Sequence, residues 1–262
     1  MSHLWRPYSY TMSSITLLVI FIIIAMISLI VVSAVNERQT RSRLIGRKLV
    51  QMKRRVDDLE EMAVTLDGLV DSPEIARHVN EEVIDLISGM IRLDPESQSL
   101  FVIKNTAEQL AEEFRNPNRP REIYRLQESD SAIARTLFLL NETGRILRKR
   151  QAAGKLEMAE MEALINDLAW AHMMVGVVSN IGHGHKALNR GDVLKAYAFY
   201  KKAQQVAMQT SISDDRRHEI IKEIGELMTN QRKALSEEYM PENHYNPKPD
   251  TESLPSSMLN NT

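Results

Sequence analysis

The run from Met12 to Val35, MSSITLLVIFIIIAMISLIVVSAV, contains no charged side chain and is mostly Ile, Leu, Val, Met and Phe. As a helix rising about 1.5 Å per residue it reaches about 36 Å, which covers a hydrocarbon core of about 30 Å with some tilt. No other stretch is apolar enough to cross, so everything that follows hangs from one tether. The flanks predict its direction. Only Arg6 precedes the run, whereas Arg38, Arg41, Arg43, Arg47, Lys48, Lys53, Arg54 and Arg55 follow it, with Glu37 as the one acid among them. Lys and Arg beside a span stay on the cytoplasmic face. The expected arrangement is a single-pass protein of the cell (inner) membrane: residues 1–11 outside, 12–35 in the bilayer, and the rest cytoplasmic. A cleaved signal peptide is the competing reading, since Val32-Ser33-Ala34 has the small residues of a processing site. The length of the apolar run and the basic cluster on its far side argue against it.

Charge divides the chain further. The basic residues after the span form a stem that also suits contact with anionic lipid headgroups. Residues 56–262 hold 24 bases and 34 acids, a balance near −10. Such a body is a poor general nucleic-acid binder, because that binding rests on neutralising phosphates, and no nucleic acid is expected as a partner. Cysteine is absent, which excludes disulfides, Cys-based zinc sites and a thiol nucleophile.

From Ile45 the apolar positions alternate by four and three: Ile45, Leu49, Met52, Val56, Leu59, Ala63, Leu66 and Val70. This seam predicts that the span continues as one long helix through a stem, residues 36–70, whose stripe packs on other helices. Two occupants fit the seam: later helices of the same chain, or a second copy in a parallel coiled-coil homodimer.

Beyond it the pattern is helical throughout, with no useful period-two alternation. Ser72-Pro73 opens a helix bearing Ile75, Val79, Val83, Leu86, Ile87 and Met90 on one face, and Asp94-Pro95 closes it. A third helix carries Leu100, Ile103, Ala107, Leu110, Ala111 and Phe114 up to the loop Asn116-Pro117-Asn118-Arg119-Pro120. A fourth helical region is expected over about 121–150, with a break near Ser129-Asp130, followed by a long apolar segment through Met161, Leu164, Leu168, Ala171, Val175 and Val178 that Gly182, Gly184 and Gly191 punctuate. A last amphipathic helix carries Ile220, Ile221, Ile224, Leu227, Met228 and Leu235. The predicted fold class is all-α: a membrane helix continuing into a stem helix, then a helical domain over 71–239, then a Pro-rich disordered tail over 240–262.

Within GHKALNRGDVLKAYAFYKKAQQ, the residues Gly184, Ala187, Leu188, Gly191, Asp192, Ala196, Tyr200 and Ala203 resemble a tetratricopeptide repeat over about residues 175–209. In that family a small residue in the first helix faces a small residue in the second, and Gly184 and Ala196 have that separation. A Gly-Asp turn joins the helices, and an aromatic follows. The resemblance implies helical-hairpin packing by these residues and protein or peptide binding, with Tyr197 and Lys201 as candidate partner contacts. It covers one degenerate repeat: no second copy follows at a period of 34, and an alanine stands at 187 where the family has an aromatic.

No catalytic motif is present, neither a phosphate-binding loop nor H-E-x-x-H nor G-x-S-x-G. His172, His183 and His185 form the one histidine grouping. On a continuous helix His183 and His185 diverge, so a shared metal requires that Gly182 and Gly184 break it. Doublets such as Glu81-Glu82 read as solvated helix faces. The cluster Arg145, Arg148, Lys149, Arg150 and Lys155 reads as a helix C-terminus complementing its dipole, or as a dock for an acidic partner. The expectation is a membrane-anchored scaffold or adaptor that binds a protein on the cytoplasmic side, without catalysis, cofactor or metal. The alternative is a dimeric coiled-coil structural or signalling device at the membrane.

Overall fold

The structure, a computed structural model, describes residues 14–116, 118–210, 214–241 and 246–247. Among the described residues there are seven helices and no strand: α1 (Ser14–Asp67), α2 (Pro73–Leu93), α3 (Gln98–Arg115), α4 (Asp130–Ala152), α5 (Met158–Leu188), α6 (Val193–Gln209) and α7 (Arg216–Met228). They divide into two compact units, residues 1–53 and 54–262.

In the first unit, every side chain from Leu17 to Val35 is exposed, and the best window of this stretch has a mean hydropathy of 3.2. A helix that is apolar on all sides and covered by no protein is long and apolar enough to cross a membrane. Arg38, Arg41, Arg43, Arg47, Lys48 and Lys53 are exposed after it, and Ile45, Leu49 and Met52 are partly so.

The second unit begins inside the stem. Val56, Leu59, Ala63 and Leu66, with Val70 just beyond the helix, are buried, so this half of the seam is covered by the chain itself. That corrects the expected boundary at 70/71: the last turns of α1 belong to the body. These five positions are not open to a second copy, which confines any paired seam to Ile45, Leu49 and Met52. Arg54 is exposed, while Arg55 is partly covered and pairs with Glu142 of α4 at 3.3 Å.

Ser72 and Pro73 start α2 as expected, and Ser129 caps α4 by accepting from the Ala132 N–H at 3.2 Å. Residues 121–127, expected to be helical, are not. The reason lies at the end of α1, where the last carbonyls of a helix lack partners. Arg121 donates to the carbonyls of Asp67, Val70 and Asp71 at 2.7–2.8 Å, and Arg125 to that of Leu69 at 2.9 Å. The Tyr124 N–H donates to Gly68 O at 2.8 Å. An extended chain presents two arginines and an amide to one helix end, which a helix cannot do.

α5 is the central helix, buried without interruption from Met173 to Gly182. A helix apolar on all sides belongs inside a core. It packs on α4 and α6, and α6 packs on α7. Gly182 and Gly184 do not break it. They admit neighbours instead, Leu126 against Gly182 and Tyr200 against Gly184. Only Gly191, at φ +79°, turns the chain. Leu235 lies beyond α7 yet is buried with Tyr239 and Met240. The tail expected to be disordered from 240 begins in the core. Asn246 bonds Leu235 N and O and Met240 O at 2.9–3.0 Å, and residues 248–262 lie outside the described residues.

Candidate functional site

In the α5–α6 hairpin the group that faces Gly184 is the Tyr200 ring, not Ala196 as the repeat spacing expects. Ala187, Ala196, Tyr200 and Ala203 share one buried cluster with Trp170, Met173, Val177 and Ile181. Gly184 leaves room for the Tyr200 ring, whose Cδ1 would lie 2.7 Å from an added Cβ. The Tyr200 hydroxyl is paired with His185 Nδ1 at 2.9 Å. Burial pushes His185 down to about 4 and Tyr200 up to about 12, so both are neutral around pH 7. Gly191 makes the turn, and Asp192 caps α6 by accepting from the Lys195 N–H at 3.0 Å. Substituting Gly184 with Ala forces the ring off this position. The expected cost is about 1–3 kcal/mol, as for overpacking in other cores, measured as a lowered denaturation midpoint of the purified chain.

A second face of α6 is uncovered among the described residues. Val193, Leu194 and Tyr197 are 63%, 86% and 48% exposed, and at 100° per residue they share one face with exposed Lys201 and Met208. Leu188, at the end of α5, is exposed beside the turn. On the other flank of α6 lies a cavity of about 430 Å³ whose lining includes His183, Lys186, Arg190, Lys195 and Phe199, with Glu128 and Asp192 as its acids. The hairpin thus presents an exposed apolar stripe that carries Lys201. The sequence pattern singled out Tyr197 and Lys201 but missed Val193 and Leu194, whose apolarity looks like core until the buried face of α6 is known.

The histidines do not converge. His183 stacks edge-on against Phe199 with centroids 5.3 Å apart, and His185 against Tyr200 at 5.5 Å. His172 lines a separate cleft with Arg148, and burial lowers its pKa from the ordinary value.

One other reading is corrected by an ion network between α2 and the C-terminal end of α4, with Lys155 just beyond it. Arg150 is 4% exposed and pairs with Glu81 at 2.7 Å, Glu82 at 3.5 Å and Asp85 at 2.9 Å. Lys149 pairs with Glu82 at 2.5 Å and Lys155 with Asp85 at 2.7 Å. Glu81-Glu82 is therefore no solvated face, while Lys149 and Arg150 stand in the last turn of α4, where the dipole reading expected them, and with Lys155 also pair with the α2 carboxylates. Burial pushes the Glu81 carboxyl up. The close approach of His78 and the charges of Arg77, His78 and Arg150 more than offset this and hold it at about 2. At the α5 side of the network, Glu74, His78 and Glu160 bring three donor atoms within 4.8 Å of one another. Sequence spacing reveals the Glu74/His78 pair, four apart on one helix, but not Glu160, which only the fold supplies.

No family model matches the chain, and no curated protein or solved structure matches it. The tetratricopeptide likeness rests on the one hairpin.

Proposed function

We propose that this chain is a single-pass, membrane-anchored helical scaffold or adaptor that binds another protein on the cytoplasmic side through the outer face of α6, without catalysis. The observation that carries this reading is the stripe of Val193, Leu194 and Tyr197, solvent-facing on a well-packed hairpin. Isolated exposed apolar residues are ordinary, but a contiguous set on one helix face is a form that docking surfaces take. Lys201 within the stripe favours a partner surface that carries acids. The basic residues Arg38 to Arg55 support retention of the span with the body in the cytoplasm.

The second reading, a dimer at the membrane, draws on Ile45, Leu49 and Met52, which keep the seam spacing and remain partly exposed. One crosslinking series separates the two. A photoreactive residue at position 197 in the full chain, in its native membrane, gives a discrete hetero-adduct that Leu194→Glu abolishes. The same probe at position 109 on α3 gives none, and a probe at position 49 gives a homodimer only under the second reading. No adduct at 197, with the chain folded, rejects the docking face.

A further inference from the structure

We propose that Glu74, His78 and Glu160 form a binding site for a divalent metal ion of the zinc class, joining the first turns of α2 and α5. This is independent of the docking face on α6. Glu74 and His78 stand four residues apart on α2, hence on the same face, and Glu160 comes from the start of α5. His78 is 3% exposed, and its Nε2 lies 3.1 Å from Glu160 Oε1. Its other nitrogen, Nδ1, faces Glu81 Oε2 at 3.3 Å and finds no hydrogen-bond partner of good geometry among the described residues. A carboxylate behind the imidazole is the arrangement that orients a metal-bound histidine and makes it a stronger donor. One imidazole with two carboxylates suits zinc and its neighbours, and three protein ligands leave a fourth position open.

A positive group already occupies this spot. The Arg77 guanidinium is ion-paired with Glu74 and reaches within 3.3 Å of His78 Nε2 and 3.7 Å of Glu160. Guanidinium is always charged, so it marks where the protein favours a cation and competes directly with a metal. Arg77 also holds Glu81 through its other terminal nitrogen at 2.5 Å. Releasing Glu74 and Glu160 to a dication therefore leaves both the two carboxylates and Arg77 neutralised. Glu160 is 43% exposed, which opens the pocket to ions from solvent. The donors must close to about 2 Å from the metal, a movement that two flexible glutamate side chains permit.

The test is a zinc titration of the full chain in detergent, read by competition with a chromophoric chelator and by thermal shift. The expected result is one equivalent bound. Glu160→Gln weakens it at least tenfold, and Arg77→Gln strengthens it several-fold because the competing cation is gone. His78→Asn abolishes it. If that buried substitution unfolds the chain, the other two variants, both at partly exposed positions, still decide. The proposal is overturned by an absence of binding, or by zinc that binds equally to the parent chain, Glu160→Gln and Arg77→Gln, which would place it on other histidines.

Discussion

A fragment that begins at Asp71 does not fold, whereas one that begins at Arg54 melts cooperatively. The pieces differ by seventeen residues, among which Leu59, Ala63, Leu66 and Val70 are at most 1% exposed and Val56 is 3% exposed. Burying a Val, Leu or Met side chain contributes about 1.5–3 kcal/mol. Several of them together equal the whole net stability of an ordinary domain, about 5–15 kcal/mol. The cut also removes the carbonyls of Asp67, Leu69 and Val70, leaving Arg121 and Arg125 without main acceptors. Circular dichroism and thermal melts of the two fragments check this. A cooperative transition in the shorter fragment would mean that the end of α1 is an accessory of the body. Within the longer fragment, Leu66→Ala costs about 2–5 kcal/mol by cavity formation.

Arg150→Met lowers stability by about 3 kcal/mol, the lower end of what breaking a buried ion pair costs. The lower end applies because Glu81, Glu82 and Asp85 keep some access to water and retain Arg77, Lys149 and Lys155 as partners. The methionine fills much of the space, so the loss reports charge rather than volume. Denaturant unfolding of Arg150→Met beside Arg148→Met, an exposed position on the same helix, isolates the effect. A difference under about 1 kcal/mol would show that the network is a screened surface feature.

Local chemistry made several elements legible. The charge-free run of Met12 to Val35 marks a stretch long and apolar enough to cross a membrane. Pro73 after Ser72 starts α2, and Ser129-Asp130 starts α4. The small-residue set Gly184, Ala187, Ala196, Tyr200 and Ala203 marks the hairpin, because an intimate helix contact needs small groups at that spacing. The seam from Ile45 to Val70 shows that a stripe is buried, but period alone does not say by whom: from Val56 onward the occupant is this chain. Tyr197 and Lys201, which the repeat likeness offered as partner contacts, are exposed on α6, as are Val193 and Leu194, which look like core until the orientation of α6 is known.

Residue types and short-range spacing were enough for the all-helical class, the long apolar helix and most helix starts, since each rests on an interaction between neighbours in sequence. The three-dimensional packing alone settled the rest. It drew 121–127 into an extended strap because two arginines meet carbonyls fifty or more residues away, it kept α5 unbroken through two glycines that face Leu126 and Tyr200, and it brought Glu160 to His78. Each of these outcomes depends on groups far apart along the chain, and no local pattern encodes a distance that only folding creates.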